Sequence, residues 1–185
     1  DGISDILWRN TSGTLTYWRG TGSGFNDQTG FSATIATDWQ VAATGDITGG
    51  GTADVLWRHS SGTLTYWVSD GGTLASTGYS ASVGLDWQIA GMGDFTDDGR
   101  ADILWRNGNL LTAWTSTGSG FANSAFGIGY AGADWSVQGV GERLTRRASS
   151  TTGSRAVSWR AARMARSTAS RVTIELIIDD SLSLS

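Results

Sequence analysis

The residues best suited to chemistry lie in one acidic loop over residues 94–102, which reads DFTDDGRAD. Oxygen-bearing side chains stand at loop positions 1, 3, 5 and 9, and position 7 can offer its backbone carbonyl. Gly99, directly after position 5, allows the tight turn that a loop curled around an ion requires. Because Ca²⁺ binds six to eight hard oxygen ligands, this spacing predicts a calcium site. The predicted ligands are Asp94, Thr96, Asp98, Asp102 and the carbonyl of Arg100.

A second loop, over residues 46–54, has the same spacing but a poorer set of ligands. Gly50 takes position 5, where the other loop has a carboxylate, so we expect this loop to bind calcium weakly or not at all. A simpler alternative stays open for both loops, because aspartates at such positions also shape turns by accepting backbone hydrogen bonds. The residues that keep positions 1, 3 and 9 are Asp46, Thr48 and Asp54.

The remaining side chains do not form a recognisable catalytic set. The sequence has no Cys, and its one histidine, His59, stands where the equivalent repeat positions carry Asn10 and Asn107. A turn role is therefore expected for His59. No Ser stands in the Gly-x-Ser-x-Gly elbow of a hydrolase, and the Gly-rich segments lack the Lys of a phosphate-binding loop. We predict no enzyme activity, no catalytic residue and no organic cofactor.

The elements that must position these loops come from an internal repeat. The block DILWRN over residues 5–10 returns as DVLWRH over 54–59 and as DILWRN over 102–107, at spacings of 49 and 48 residues. Two further blocks repeat with it: SGTLTYW, whose third copy is shortened, and Asp-Trp followed by Gln or Ser and by Val or Ile. Nine of the ten Trp residues occupy these repeated positions. The repeats are predicted to cover residues 1–45, 46–93 and 94–141.

Each repeat has the composition of short β-strands. Residues 5–10 and 14–20 are rich in β-branched and aromatic types around a Thr-Ser-Gly turn, which predicts a hairpin. A strand over 39–44 and a weaker one over 28–36 bring the total to about four per repeat. Four-stranded units at this period are typical of β-propeller blades. The predicted fold is therefore all-β, a partial β-propeller of about three four-stranded blades followed by an irregular basic tail.

The repeated aromatic and basic residues suggest how the blades pack. We expect most of the Trp side chains to fill the space between neighbouring blades, since each buries a large apolar area. Stacking against sugars is the alternative for those that stay exposed. The arginine after each first Trp is expected to point to the opposite face and to pair with carboxylates. These arginines are Arg9, Arg58 and Arg106.

The chain resembles the FG-GAP or VCBS family of integrin-α-like repeats. The carriers are GDFTDDGRADILW over residues 93–105 and the Asp-Trp blocks upstream, and the resemblance extends over residues 1–141. It implies a β-propeller with calcium in the loop between the first two strands of a blade. It also implies a secreted or cell-surface protein that acts in adhesion, in ligand binding or beside a secreted enzyme.

Charge divides the sequence into two unlike parts. Residues 1–141 carry 13 acidic side chains and 5 Arg, whereas residues 142–185 carry 4 acidic side chains and 8 Arg. The acidic part disfavours a nucleic-acid partner, which needs a positive surface. No apolar run is long enough to span a membrane, no signal peptide is visible, and the natural start is expected to be missing. The Arg- and Ser-rich tail is interpreted either as the product of a frameshift, irregular or disordered, or as a genuine basic segment for an anionic surface.

Three hypotheses about function remain. The first and favoured one is a calcium-supported extracellular binding or adhesion module without catalysis, whose protein or glycan ligand the sequence does not identify. The second is a carbohydrate-binding propeller. The third is the non-catalytic repeat region of a larger secreted hydrolase. Three blades would leave strand edges open, so self-association through those edges is also expected.

Overall fold

The computed structural model describes residues 3–27 and 30–140. They all belong to one compact unit, Asp1–Arg146, and the second unit, Arg147–Ser185, lies outside them. The predicted tail from residue 142 onward also lies outside the described residues. Within the described ranges every regular element is a β-strand. These ranges therefore contain no helix long and apolar enough to cross a membrane.

Thirteen strands build three antiparallel sheets among the described residues, which confirms the all-β expectation. In the first sheet the order is β1-β2-β3, with β4 also on β2; in the second it is β5-β6-β7-β8, with β9 also on β7; in the third it is β10-β11-β12-β13. The described strands do not close into a barrel or a propeller. The strands are β1 Ile6–Arg9, β2 Thr14–Gly20, β3 Phe25–Asn26, β4 Ala33–Thr34, β5 Trp39–Gly45, β6 Asp54–His59, β7 Thr63–Ser69, β8 Leu74–Ser76, β9 Ala81–Ser82, β10 Gln88–Gly93, β11 Asp102–Asn107, β12 Leu110–Ser116 and β13 Phe121–Tyr130.

The central hairpin of each sheet follows the repeated sequence blocks. In the first sheet Trp8 lies opposite Thr16, and in the second sheet Trp57 lies opposite Thr65. The turn between β1 and β2 needs its glycine, because Gly13 has a φ of 92° and a Cβ there would collide with the Ile35 carbonyl. A left-handed residue so close to a neighbouring backbone tolerates only glycine. The Thr-Ser-Gly composition therefore fixes the hairpin register.

The second and third sheets each combine the last strand of one sequence repeat with the first strands of the next. Strand β5 pairs with β6, and β10 pairs with β11, across the two acidic loops. The loops over 46–53 and 94–101 thus lie inside the second and third sheets, where each joins the first two strands.

The sheets pack face to face through two apolar clusters. One joins Leu15 and Ile35 of the first sheet region to Val55 and Trp57 of the second sheet. The other joins side chains of the second sheet and of its loop to Ile103 and Trp105 of the third sheet. Its fully enclosed members are Ile47, Leu56, Leu64, Tyr66, Ile103 and Trp105. The core of the described unit therefore lies between sheets, where the sequence places its repeated aromatic residues.

The prediction that Trp side chains fill the space between sheets is confirmed for Trp57 and Trp105. Each of them is only 1% exposed. Three others belong to the exposed minority that the prediction allowed, since Trp8 is 45%, Trp18 36% and Trp135 53% exposed. Burial at a repeated Trp position thus depends on which neighbouring sheet covers it.

The arginines after the first Trp of each repeat have partners other than those expected. Arg9 donates to the carbonyls of Ile35 (3.2 Å) and Ala36 (2.9 Å), and its guanidinium lies 5.6 Å from the centre of the Trp57 ring. The prediction that these arginines pair with carboxylates is therefore wrong for the described contacts. A guanidinium carries five N–H donors and stacks well on aromatic rings, so it can tie down a connecting segment and cover a Trp at once.

Arg58 repeats this arrangement one sheet further along. It donates to the carbonyls of Trp87 (2.5 Å) and Gly84 (2.9 Å) and lies 5.4 Å from the centre of the Trp105 ring. Burial lowers the pKa of Arg58, a change that Asp86 partly opposes. In the third sheet Arg106 donates to the carbonyls of Trp135 and Gly132. Each sheet thus uses the equivalent arginine to hold the segment that follows its last strand, and in the first two sheets that segment leads to the next sheet.

Candidate functional site

Asp102, the last predicted ligand of the third-sheet loop, is fully buried. Its Oδ2 accepts hydrogen bonds from the Phe95 N–H (3.0 Å) and from the Thr96 hydroxyl (3.3 Å). Its Oδ1 accepts the Ser116 N–H (2.8 Å) at the end of β12. A buried carboxylate is costly unless such donors compensate its lost hydration. Asp102 therefore ties both ends of the acidic loop to the third sheet.

Asp94 and Asp98 lie on the exposed side of the same loop. Asp94 accepts the N–H groups of Asp98 (3.1 Å) and Gly99 (2.8 Å). Partial burial acts to raise the pKa of Asp94, but the N–H groups of the loop outweigh it and hold the pKa below its ordinary value. Asp97, between them, has a φ of 60°, a left-handed conformation that Asp tolerates better than most residues. The loop is therefore shaped around the carboxylate of Asp94.

Arg100 contributes a side-chain role that the sequence analysis missed. Its guanidinium donates to Asp98 Oδ2 (2.6 Å) and to the Ser116 carbonyl (3.3 Å). Its N–H donates to Asp98 Oδ1 (2.9 Å). The position of Arg100 two residues after Asp98 is a weak sequence indication of this ion pair. Nothing in the sequence indicates the contact between Arg100 and Ser116. The carboxylate expected at calcium-ligand position 5 is thus held by an arginine.

The second-sheet loop repeats the buried clamp of the third. Asp54 is fully buried, and its Oδ2 accepts the N–H groups of Ile47 (3.0 Å) and Thr48 (3.1 Å). Its Oδ1 accepts the Ser69 N–H (3.0 Å) at the end of β7. In the first sheet Asp5 accepts the Gly20 N–H (2.8 Å) in the same way. The aspartate that opens the repeated block therefore joins the two strands of the repeated hairpin in every described sheet.

Asp46, at the start of the second-sheet loop, accepts three consecutive N–H groups. Its Oδ1 accepts those of Gly49 (2.7 Å) and Gly50 (2.9 Å), and its Oδ2 accepts that of Gly51 (2.7 Å). This is the arrangement expected of an aspartate that shapes a turn. Asp46 and Asp94 thus have the same role in their two loops.

The donor chemistry of the third-sheet loop suits Ca²⁺, because three carboxylates, a hydroxyl and a carbonyl are hard oxygen ligands. The structure brings Thr96 and Asp102 together but directs Asp94 and Asp98 to backbone N–H groups and to Arg100. Within residues 3–27 and 30–140, no three acidic, His or Cys side chains lie in a metal-binding arrangement. Calcium binding would thus require Asp98 to exchange Arg100 for the ion.

His59 forms a hydrogen-bonded chain with two other side chains. Its Nε2 lies 2.8 Å from Asp38 Oδ2, and its Nδ1 lies 2.7 Å from Ser61 Oγ. The Ser61 N–H donates to Nδ1 (3.0 Å), which assigns Nδ1 as an acceptor and leaves the Nε2 proton for Asp38. The side-chain hydrogen bond to His59 lowers the pKa of Asp38.

This Asp–His–Ser chain has the connectivity of a nucleophilic triad but the geometry of a turn. An oxyanion hole needs free N–H donors beside the nucleophile. Here the Ser60 N–H donates to the Asp38 carbonyl and the Gly62 N–H to the His59 carbonyl. In the third sheet Asn107 donates to Asp86 (2.5 Å) from the same position. His59 therefore bridges to the preceding Asp-Trp block as Asn107 does, and by accepting the Ser61 N–H it also has the turn role expected from the sequence.

A cleft of about 610 Å³ opens beside the contact between the first two sheets. Its lining includes Asp5, Tyr17, Arg19 and Thr73. The Tyr17 hydroxyl donates to the Gly72 carbonyl (3.0 Å), and Arg19 donates to its neighbour Gly71 (2.9 Å). This is a polar depression with one aromatic ring on its wall.

Comparison with known proteins assigns none of these features. No family model, no curated protein and no solved structure matches the chain. The functional interpretation therefore depends on the geometry of the described residues and on the sequence pattern.

Proposed function

We propose that the chain is a non-catalytic, secreted or cell-surface binding module built from β-propeller blades, with calcium in the third-sheet loop. The observation that carries this proposal is the aspartate clamp, which recurs in the three sheets at Asp5, Asp54 and Asp102. In each clamp the aspartate carboxylate accepts backbone N–H groups and so holds neighbouring strands together. A fold organised in this way offers its exposed surfaces to a ligand and uses its carboxylates for stability.

The contacts between first strands support the propeller arrangement. Met92 of β10 makes an ordinary contact with β5, its Cβ lying 3.8 Å from a Cβ placed at Gly45, and Ala101 at the end of the third-sheet loop comes closer, its Cβ lying 2.8 Å from the same point. Val140 packs on β10 in the same way, with its Cγ1 2.8 Å from a Cβ placed at Gly93. In a propeller the first strands of successive blades approach one another around a central channel. Small residues at these points allow that approach.

Asp94, Thr96, Asp98, Asp102 and the Arg100 carbonyl would supply the oxygen ligands for calcium in the third-sheet loop. A bound divalent cation would offset the repulsion among three carboxylates. It would add stability by preferring the folded chain, by about 2.7 kcal/mol at a hundred times its dissociation constant. Asp46, Thr48 and Asp54 would bind more weakly, because Gly50 gives no carboxylate.

Thermal unfolding of the full chain in EDTA and in millimolar calcium tests this proposal. The melting temperature is expected to rise with calcium, and titration calorimetry is expected to find one site. Asp98→Asn removes a ligand charge outside the buried clamp, so the variant should fold and lose the calcium response. An unchanged melting temperature and no heat of binding in the folded parent would reject the calcium part.

Two further variants separate ligand chemistry from turn formation. Arg100→Ala frees the Asp98 carboxylate, so it should tighten calcium binding while lowering stability in EDTA. Gly50→Asp supplies the missing carboxylate of the second-sheet loop, and a Cβ there would meet only the Thr48 hydroxyl at 3.3 Å. It should create a second calcium site. If the aspartates only form turns, neither variant will change the response to calcium.

A carbohydrate ligand is the second candidate, and the cleft between the first two sheets favours it. A ring beside carboxylate, guanidinium and hydroxyl groups is a common way to hold a sugar. Tyr17→Ala and Arg19→Ala should then abolish binding on a glycan array, with Phe25→Ala as an exposed aromatic control outside the cleft. No binding by the folded parent would remove this candidate.

A further inference from the structure

The acidic loops of the second and third sheets are in direct contact with each other. The Ala101 N–H, at the end of the third-sheet loop, donates to the carbonyl of Asp46, which begins the second-sheet loop (2.6 Å). The Arg100 side chain lies on the same neighbour, since its Cγ is 3.2 Å from a Cβ placed at Gly49. The two loops therefore share a backbone hydrogen bond and a packing contact, although they belong to different sheets.

Ser116, the last residue of β12, connects the same two loops through a second set of hydrogen bonds. It is only 3% exposed. Its hydroxyl donates to the Ile47 carbonyl of the second-sheet loop (2.6 Å), and its N–H donates to Asp102, which closes the third-sheet loop (2.8 Å). Movement of one loop away from the other would leave a buried polar group without its partner, which is costly. Ser116 therefore fixes the spacing between the loops.

Arg100 brings the exposed part of the third-sheet loop into this network. Its Nε donates to the Ser116 carbonyl (3.3 Å), and its Nη2 donates to the Asp98 carboxylate (2.6 Å). At the equivalent position of the second sheet, the Thr52 hydroxyl donates to the Ser69 carbonyl (2.8 Å). The strand-end contact thus recurs, and the longer arginine extends it to Asp98 and to the neighbouring loop.

We propose that the two acidic loops respond as one unit, with Ser116 as the positioning residue that transmits a change at Asp98 and Arg100 to the second-sheet loop. When Asp98 no longer holds the guanidinium, the arginine side chain shifts against Gly49, and the loop that Ser116 fixes beside it changes with it. A cation that takes Asp98 from Arg100 would have the same effect, and this part rests on the proposed function. The coupling itself needs no metal, and it acts equally in both directions.

Amide NMR spectra of the full chain in EDTA test the coupling without calcium. Asp98→Asn removes the charge that holds the Arg100 guanidinium, at a side chain bonded within the third-sheet loop. We expect it to shift the N–H resonances of residues 49–51, because their hydrogen bonds to Asp46 report the shape of the second-sheet loop. Dispersed resonances verify that each variant is folded.

A matched charge control comes from a turn of the second sheet that lies outside both loops. Asp70→Asn removes the same charge, and Asp70 accepts the N–H groups of Gly72 and Thr73. It should leave the resonances of residues 49–51 in place. Equal shifts in the two variants would mean that a lost charge alone moves these resonances, and they would overturn the coupling.

A double-mutant cycle tests the role of Ser116. In a Ser116→Ala background, Asp98→Asn should lose most of its effect on residues 49–51, because the hydroxyl no longer fixes the spacing of the loops. Ser69→Ala is the matched deletion, since Ser69 ends β7 and its hydroxyl accepts the Gly71 N–H within the second sheet (3.2 Å). In that background the effect should equal that in the parent.

Two results would overturn the coupling. The first is a response to Asp98→Asn that is confined to residues 94–101, and the second is an undiminished response of residues 49–51 in Ser116→Ala. A calcium titration of the same samples then tests the proposed function separately. A chain that responds to Asp98→Asn but not to calcium would reject the calcium site and support the coupling.

Discussion

The first and second sheets carry nearly the same residues at equivalent positions, yet those residues have different surroundings. Trp57 is 1% exposed beneath Arg9, whereas Trp8 is 45% exposed. Asp54 is fully buried and accepts hydrogen bonds from both the preceding loop and β7, whereas Asp5 is exposed and accepts the Gly20 N–H. The motif is local, but the free energy that it contributes depends on the sheet packed against it.

The largest expected effect is at Trp57. Trp57→Ala should lower the free energy of unfolding by about 3 to 5 kcal/mol, because it leaves a cavity between two sheets. Trp8→Ala at the equivalent exposed position should change it by less than about 1 kcal/mol. Urea unfolding of both variants at a concentration where the parent is monomeric measures the difference. Equal losses would mean that the first two sheets do not differ in packing.

A smaller difference is expected for the aspartate clamp. Asp54→Ala removes the acceptor of the part-buried N–H groups of Thr48 and Ser69 and one of the two acceptors of the buried Ile47 N–H, and should cost about 2 to 3 kcal/mol. Asp5→Ala removes the acceptor of one part-buried N–H, that of Gly20, and should cost less, about 1 kcal/mol. Urea unfolding in EDTA keeps calcium out of the comparison. If Asp5→Ala and Asp54→Ala lowered the free energy of unfolding equally, burial of the aspartate would not determine how much the clamp stabilises the fold.

The smallest effect is expected where the second sheet differs from the others in chemistry, at the Asp38–His59 pair. Because the pKa of Asp38 is lowered in the folded chain, the pair stabilises the fold above the ordinary aspartate value of 3.8. That contribution is lost as the pH falls through the lower folded pKa. His59→Ala should raise the Asp38 pKa and remove this part of the acid dependence. Carboxyl NMR titration of parent and variant would detect the change, and an unmoved Asp38 pKa would contradict it.

The hairpins could be predicted from the sequence because their information is local. The Thr-Ser-Gly turn and the alternating residues around it set β1 and β2; Ser-Ser-Gly takes the place of this turn in the second sheet, and the shorter turn at Gly108 and Asn109 does so in the third. The weak strand expected over residues 28–36 is reduced to Ala33–Thr34 among the described residues. Its sequence has fewer β-branched and aromatic residues, so little favours a longer strand.

The candidate site could be predicted only in part. The spacing of Asp94, Asp98 and Asp102 indicated a tightly turned loop, and Gly99 turns it with a φ of 82°; that these carboxylates bind calcium stays a prediction. It did not indicate that the Arg100 guanidinium would pair with the Asp98 carboxylate. Nor did it indicate that the Ser116 N–H, at the end of β12, would donate to Asp102. Whether calcium replaces Arg100 remains the prediction that the loop variants test.

By itself the sequence determined that the chain forms β-hairpins at a period of 48–49 residues, with an aspartate loop before each later hairpin. Backbone preference, turn chemistry and side-chain alternation act over a few residues, and each is written in the repeat. Only the tertiary structure decided which Trp is buried, that Arg9 and Arg58 bind carbonyls over the next sheet's Trp, and that Asp54 and Asp102 are enclosed. Those outcomes depend on which sheet covers which face, and identical motifs therefore acquire different roles along one chain.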